Sequence, residues 1–391
     1  MATGFPTKAN WVSGDILTAA QMDDLAGTVN ALSNAAATSG SVLVSNVAGT
    51  SFAYQPLQAA GKNAVINGGM DIWQRGTSVA IAASSGVTYT ADRWCTFSGA
   101  NQALTISRQA TADTTNLPNI QYCARYQRNS GQTGTSVLYF AQSLETVNSI
   151  AFAGKQVTVS FYVRAGANFS PASGNLVAIV YSGTGTDQNV LTSYTGQTTV
   201  ASTATNLTTT WQRISITGTV AVTATELSLS FNMTPVGTAG ANDYFEITGV
   251  QVELGSTATT FSRAGGSIGG ELALCQRYYW RQNWDAQTTY AIFGQGSAAS
   301  TTIAYCQTPY PVQMRVKPTA IDFPAVGTYF QCLDATAGGS TMTALSFDAN
   351  QTTSSIGFLS ATVAAGLTQY RPYVIRGLNS TAAYLGWSAE L

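Results

Sequence analysis

Apolar and polar residues between positions 63 and 263 alternate with a period of two and show almost no helical period. In "QVTVSFYVR" (156–164), Val157, Val159, Phe161 and Val163 fall on one side of the chain, with Thr158, Ser160 and Tyr162 on the other. "ELSLSFNM" (226–233) repeats the pattern with Leu227, Leu229 and Phe231. "LVAIVY" (176–181) is a continuous apolar run and predicts a strand buried on both faces, while "TWQRISITGTVAV" (210–222) predicts a pair of strands. In "YFEITGVQVELG" (244–255), Phe245 and Ile247 are apolar at odd positions, then Val250, Val252 and Leu254 at even ones. The change of phase at Gly249 predicts a β-bulge. Short strands separated by Gly, Asn and Thr turns make a mainly β, antiparallel sandwich or jelly roll the expected architecture.

The flanks differ. "SRAGGSIGGELALCQRYYWRQNW" (262–284) interrupts the alternation and predicts a short helix from Glu271 to Arg281, with Leu272, Cys275 and Tyr279 on one stripe. Residues 285–391 return to β signals such as "TTIAYCQT", "TYFQCL" and "YVIRGL", which predict a second, smaller C-terminal β-sandwich. Near the start, Thr18-Ala19-Ala20-Gln21 reads as a capping box. Met22, Leu25, Val29 and Leu32 then recur at steps of three, four and three, an a/d seam about two heptads long. Such a seam serves either a short oligomerisation helix or an amphipathic helix lying on another surface of the same chain. The expected organisation is an N-terminal attachment segment and linker (1–62), a jelly-roll sandwich (63–263), a connector (264–284) and a C-terminal β-domain (285–391).

Composition narrows the chemistry. Only 9% of the 391 residues are charged, against roughly a quarter in an ordinary domain. Thr, Ser, Asn, Gln, Gly and Ala take their place and suit strands with hydroxyl-rich outer faces. The net charge is −1 and no Lys/Arg cluster occurs, so no nucleic-acid partner is expected. No apolar run approaches the roughly 20 residues that span a bilayer, and "MATGFPTKANW" lacks a signal-peptide core. Folding in a cytosol without membrane insertion is therefore expected. The five cysteines are widely spaced, with no C-x-x-C, and are expected to be buried free thiols. The chain has no His, which excludes Ser-His-Asp and Cys-His catalysis, His-ligated metals and His-based pH switching.

Two phrases combine Asp, Trp and Arg: "NAVINGGMDIWQRG" (63–76) and "YTADRW" (89–94). Strand spacing puts Asp71, Trp73 and Arg75 on one face. The first phrase is thus expected to be the opening strand of the sandwich, with a turn or bulge at Asn67-Gly68-Gly69 and charges paired with one another or with Asp92 and Arg93. The carboxylates Asp71, Asp92, Asp187, Asp243, Glu246 and Glu253 show no spacing that singles out a glycosidase pair, and the expectation is that the chain is not an enzyme. "AGGSIGGEL" (264–272) lacks the Lys of a P-loop and the order of a dinucleotide loop, so a hinge or tight turn is expected. For sugar binding, Tyr181, Tyr194, Trp211, Tyr278, Tyr279, Trp280 and Trp284 are the candidate stacking rings; the alternative for each is core or subunit interface. No catalytic residue, metal or cofactor is expected.

Several of these phrases also carry a resemblance. "PTKANWVSGDILTAAQMDDL" resembles the N-terminal phrase of many bacteriophage tail and fibre proteins, and "NAVINGGMDIWQRG…YTADRW" resembles the start of the large domain of tail-fibre-like virion proteins. "YFEITGVQVELGSTATTFS" resembles the last strand of a carbohydrate-binding-module-like jelly roll. "ELALCQRYYWR", "PYPVQMRVKPT" and "GWSAEL" are similar to the segments that follow it in such proteins. The resemblance touches all three segments in the same order. It implies a structural protein of the virion, commonly a homotrimeric tail or head fibre. Such a protein is assembled in the bacterial host cytoplasm, held to other virion proteins by its N-terminal segment, and exposed for attachment to a host surface glycan. Architectural decoration without receptor binding and polysaccharide depolymerase are the alternatives. The resemblance also raises a structural calcium at Asp71, Asp243 and Glu246, which no loop of closely spaced acids supports.

Overall fold

The computed structural model describes strands Ser41–Ser45 and Phe52–Pro56 and residues 62–117, 119–334 and 338–391. The chain divides into two compact units, 1–59 and 60–391. In the first, β1 (Ser41–Ser45) and β2 (Phe52–Pro56) pair as an antiparallel hairpin. The expected seam of Met22, Leu25, Val29 and Leu32 lies outside the described residues.

The second unit opens with an antiparallel sandwich. Its strands are β3 (Ser78–Ile81), β4 (Thr88–Tyr89), β5 (Cys95–Phe97), β6 (Leu104–Ala110), β7 (Tyr122–Arg128), β8 (Leu138–Ser143) and β9 (Gln156–Ala165). They continue with β10 (Asn175–Gly183), β11 (Thr198–Asn206), β12 (Gln212–Thr219), β13 (Glu226–Met233) and β14 (Tyr244–Leu254). One six-stranded sheet runs β11-β10-β13-β8-β5-β4 and the other β12-β9-β14-β7-β6-β3. From β8 onward the chain passes repeatedly between the two sheets, so the inward halves of the alternating strands meet in one core. Trp94 stacks on Phe140 at 4.9 Å, Tyr126 on Phe245 at 5.1 Å, and Phe161 meets Phe231 edge-on at 4.8 Å. The predicted bulge is present: Gly249 has φ 58°, and the β14–β9 register shifts between Thr248 and Gln251.

Two strand expectations change. β10 buries only alternate residues, because Val177, Ile179 and Tyr181 lie on the outer face of the sheet. Residues 210–222 supply one strand, β12, whose outer positions are exposed, and the chain leaves the sheet at Val220, which turns into the core.

"NAVINGGMDIWQRG" is not a strand. Asn67 (φ 57°) and Met70 (φ 55°) are left-handed, a conformation that a continuous strand excludes. The Asn67 side chain takes the place of a strand neighbour. Its Oδ1 accepts from Ile72 N (3.0 Å), and its Nδ2 donates to Ile72 O (2.8 Å) and Asp92 O (3.1 Å). Gly68 passes so close to Val250 O that a Cβ would collide with it. Gln142 both donates to and accepts from the backbone of Ile66. This buried loop therefore satisfies its backbone through side chains distant in sequence. Trp73 and Trp94 donate to Met70 O and Asn67 O at 2.8 and 3.1 Å.

The connector forms the helix Ile268–Gln276, which starts three residues before Glu271 because Ser267 Oγ accepts from Gly270 N (3.1 Å) as its N-cap. It ends before Tyr278 because Tyr279 enters a strand. The glycine-rich "AGGSIGGEL" is the close crossing that begins this helix: Gly265 and Gly270 touch with no room for a Cβ on either. Buried Glu271 accepts from Gly265 N (2.8 Å) and from Asn67 N, tying the connector to the opening loop.

β15 (Tyr279–Gln282), β18 (Ala320–Asp322) and β23 (Leu385–Ser388) form a three-stranded sheet ordered β15-β23-β18. β16 (Ile292–Ala298), β17 (Ile303–Pro309), β19 (Phe330–Asp334), β20 (Gly338–Phe347), β21 (Ile356–Val363) and β22 (Pro372–Gly377) are the remaining strands. They close into a barrel in the order β16-β17-β21-β20-β19-β22. The second β-body thus has the expected antiparallel strands, with its sheet curled upon itself. The inward residues explain the closure: Ala298, Ala304, Cys306, Cys332 and Ala361 are small enough for a narrow interior. Buried Trp387 packs over Gly357, with Tyr310 edge-on at 5.3 Å. No helix among the described residues is long and apolar enough to cross a membrane.

Ion pairs join the sandwich to the connector and to the C-terminal β-body. Glu390 accepts from Arg75 Nη1 (3.3 Å) and Arg93 Nη1, Arg315 Nη1 pairs with Asp187 (2.7 Å), and Arg277 Nη2 pairs with Glu145 (2.8 Å). Arg75 lies 3.5 Å over the Tyr279 ring and Arg93 3.7 Å over Tyr278. Burial opposes the charge on both guanidiniums, but Glu390 and the surrounding phenols raise their pKa above the ordinary value. The expected pairing of Arg75 and Arg93 with neighbouring acids is thus replaced by pairing across the junction, and Asp71 binds Arg263 at 2.8 Å.

Asp92, in the same junction, accepts from the backbone and side-chain amides of Gln74. Burial pushes its pKa up to about 6, with Arg75 and Gln74 opposing. A raised carboxyl pKa means that the folded state holds the proton more tightly than the unfolded chain. Its contribution is full below about pH 4 and is lost as pH rises through 6. Relative to Asp92→Asn, the wild type is therefore expected to lose up to about 3 kcal/mol across that window. Urea unfolding of both proteins from pH 4 to 7 checks this; a constant difference would refute it.

Candidate functional site

The outer face of the β11-β10-β13-β8-β5-β4 sheet carries the most ligand-like surface of the sandwich. Register places Phe97, Tyr139, Asn232 and Val177 in one row across four strands, and Cys95, Ala141, Ser230 and Ile179 in the next. Tyr181 stands opposite Ser228 one row further on. The segment between β10 and β11 folds back over part of this face. Val190 and Tyr194 pack on Cys95 and Ala141, and the Asn189 side chain caps the turn by accepting from Leu191 N (2.9 Å). Between this flap and the strands lies a groove of about 250 Å³ lined by Phe97, Tyr139, Tyr181, Leu191, Gln197 and Ser230.

Rings form its walls and small polar groups its floor. Phe97 is 39% exposed, and Tyr139 and Tyr181 are half-buried. Ser230 Oγ donates to Asn232 Oδ1 at 2.5 Å, which fixes the amide beneath them. Burial raises the Tyr181 phenol pKa, Tyr139 adds to the shift and Asn232 offsets part of it, so the phenol stays a neutral donor and acceptor. Ser193, at the mouth, is held at φ 78°, a strained conformation for a residue with a Cβ. Apolar ring faces beside neutral hydroxyls and amides can stack on the C–H face of a sugar and bond its hydroxyls.

The other candidate rings are dispersed. Tyr194 is buried and donates to Leu227 O (3.2 Å). Tyr278 and Tyr279 are each 1% exposed. Their rings carry Arg93 and Arg75, and their hydroxyls donate to Glu145 (2.9 Å) and Asp322 (2.9 Å). The expectation that these two stack on a glycan is therefore corrected: they present no face to solvent and belong to the junction. Trp280 is half-buried and packs edge-on against Tyr310 at 5.8 Å. Trp284 is 40% exposed in the loop after β15. Trp211 lies at the start of β12 beside a separate pocket. Tyr181 alone among the sequence candidates lines the groove. Phe97 and Tyr139 were missed, although "LYF" (138–140) carries the signal for Tyr139: an aromatic at the outward phase of a strand whose inward neighbour, Phe140, is also aromatic.

The six candidate acids are engaged elsewhere, and none lines the groove. Asp243 binds Arg128 (2.7 Å) and Glu246 binds both Arg125 (2.6 Å) and Arg164 (2.6 Å). Glu253 accepts from Thr259 N (2.8 Å) and Thr259 Oγ1 (2.6 Å). With Asp71 on Arg263, each of the three residues raised for calcium has a guanidinium partner instead. Among the described residues no cluster of three His, Cys, Asp or Glu could hold a metal ion. All five cysteines are free and buried, as expected; burial pushes Cys95 up to about 12. A wider hollow of about 650 Å³ on the barrel is bounded by Gln295, Gln307, Leu333, Ile356 and Val374.

No protein-family model matches the sequence, and no curated protein matches it. Among solved structures, this chain is similar to the enzymatically active domain of bacteriophage CBA120 tailspike protein 4, at 13% identity and TM-score 0.30 over 51% of this chain. That match spans 24% of the tailspike domain, about a quarter of its length. The chain is also similar to the CBM22-1 xylan-binding domain of Paenibacillus barcinonensis Xyn10C, at 16% identity and TM-score 0.29, covering 46% of this chain and 95% of that one. A third likeness is to TmCBM61 in complex with β-1,4-galactotriose, at 11% identity and TM-score 0.29, covering 49% and 99%.

Proposed function

We propose that this chain is a structural fibre protein of a bacteriophage virion, non-enzymatic and homotrimeric, that attaches to host-surface glycan through the Phe97–Tyr139–Tyr181 groove. The observation that carries this reading is the groove itself: three partly exposed rings beside Ser230, Ser193 and Gln197, free of charged side chains. The body behind it suits a load-bearing part, because ion pairs join sandwich to barrel. The resemblance of the opening phrases to fibre proteins supplies the virion context.

Binding of purified protein to host cells and to a glycan array tests the proposal. Tyr139→Ala and Tyr181→Ala are each expected to weaken glycan binding by about tenfold or more, equal to about 1.4 kcal/mol, with unchanged unfolding midpoints. Full-strength binding by both variants would remove the groove from the reading. Particle association without any cell or glycan binding would leave architectural decoration, and sugar release from the host envelope would favour a depolymerase. Native mass is expected at three chains; one chain would refute the trimer.

A further inference from the structure

On the other sheet, away from the groove, Arg164 near the end of β9 faces outward beside Trp211. Its guanidinium carbon lies 4.6 Å over the Trp211 ring, while its Nε donates to Glu246 (2.6 Å). Glu246 is fully buried and shared with Arg125, whose guanidinium lies 4.1 Å over Tyr244. The result is a ladder, Tyr244–Arg125–Glu246–Arg164–Trp211, that fixes the orientation of Arg164 and Trp211. Trp211 Nε1 is held by Thr111 O (3.3 Å).

This rigid wall faces the loop between β6 and β7 across a pocket of about 340 Å³, lined by Asp113, Asn116, Arg164, Thr209, Thr210 and Trp211. Ala112 sits at φ 54°, strained for a residue with a Cβ, and directs the loop over the pocket. Asp113 Oδ1 accepts from Thr115 N (3.0 Å) and Asn116 N (2.8 Å), and Oδ2 accepts from Asn116 Nδ2 (2.9 Å). Oδ2 therefore keeps accepting capacity, and the Nη groups of Arg164 make no hydrogen bond among the described residues. The two guanidiniums of Arg125 and Arg164 are balanced by Glu246 and Asp113, so the pocket has no charge to offset in a ligand.

We propose that this pocket is a second saccharide subsite that takes one neutral pyranose residue. Trp211 supplies the apolar wall for the C–H face of the ring, Asp113 Oδ2 accepts from one hydroxyl, and Arg164 Nη donates to its neighbour. A uronic acid is disfavoured because its carboxylate adds a charge beside Asp113 in a site already balanced. The ligand class rests on the glycan-binding reading, but the residues are separate from the groove. Sites on both sheets let one chain hold two sugar units of a surface polymer, which raises avidity without new contacts at either site.

Saturation-transfer NMR and calorimetry with the methyl glycosides of glucose, galactose and xylose, and with glucuronate, test this on the full chain and three variants. Saturable binding of at least one neutral glycoside is expected. Trp211→Ala and Asp113→Ala should weaken it by about tenfold or more, and the loss should persist in a Tyr181→Ala background whose groove is disabled. Asp113 is half-buried in the β6–β7 loop, outside the strands, so its variant tests the site even if Trp211→Ala disturbs the β12 edge. Glucuronate binding equal to or tighter than that of the neutral sugars overturns the ligand class. Sugar binding abolished by Tyr181→Ala but intact in Trp211→Ala and Asp113→Ala overturns the second site and leaves the groove reading standing. Sugar binding unchanged in Tyr181→Ala but lost in Trp211→Ala and Asp113→Ala overturns the groove reading alone.

Discussion

Glu390→Gln is expected to lower the unfolding free energy of the protein by about 3–5 kcal/mol, the usual cost of stranding a buried charge. The substitution keeps the shape of the side chain and removes the charge that Arg75 and Arg93 share. Those guanidiniums lie against the Tyr279 and Tyr278 rings, with little water to replace the lost partner. Arg75 retains Asp92 nearby, so Arg93 bears more of the loss. The effect should also localise: sandwich and barrel are joined at this residue, and their unfolding should separate into two transitions. Denaturant titration followed by tryptophan fluorescence reads both consequences, with Trp73 and Trp94 in the sandwich and Trp387 at the barrel. An unchanged midpoint would show that Arg75 and Arg93 find other partners.

Asp243→Ala is expected to cost a similar amount, about 3–5 kcal/mol, by a different route. Arg128 and Asp243 are both 0% exposed and pair at 2.7 Å. Arg128 also donates to Gln132 O (3.1 Å), Gly134 O (2.9 Å) and Gly237 O (3.3 Å), and Asp243 Oδ1 accepts from Ser170 N (2.9 Å). The pair thus closes three loops at one end of the sandwich. Arg128→Met combined with Asp243→Leu should recover part of the loss, since no charge is then left buried, but not all of it, since the three carbonyls lose their donor. Chemical denaturation of the single and double variants checks both statements. A double variant less stable than Asp243→Ala would show that the carbonyl contacts outweigh the charge.

The strands of the sandwich were legible because alternation along a strand is a local signal, and a half-buried sheet enforces it at every residue. Gly249 was legible for the same reason, as a break in that alternation. The opening loop was not. Apart from Asn67, which bonds the backbone of Ile72, its backbone partners include Gln142, Val250 and Glu271, between 76 and 204 residues away, and nothing within fourteen residues announces them. Asp71 and Arg75 look like strand neighbours by spacing, but Arg263 and Glu390 claim them. The groove was half legible: Tyr181 stood out as an aromatic beside an apolar run, whereas Phe97 and Tyr139 become wall residues only when three strands and the β10–β11 flap assemble. The closure of the second β-body into a barrel depends on register around six strands, which small inward residues permit but do not spell out.

The five thiols have a use beyond packing. They are spread over four parts of the second unit: Cys95 and Cys123 on the two sandwich sheets, Cys275 in the connector helix, and Cys306 and Cys332 both inside the barrel. Burial holds every one above its ordinary pKa, so little thiolate exists in the native protein. Alkylation can then proceed only through opening, and the order in which the five sites are labelled becomes a clock for which part of the protein comes apart first.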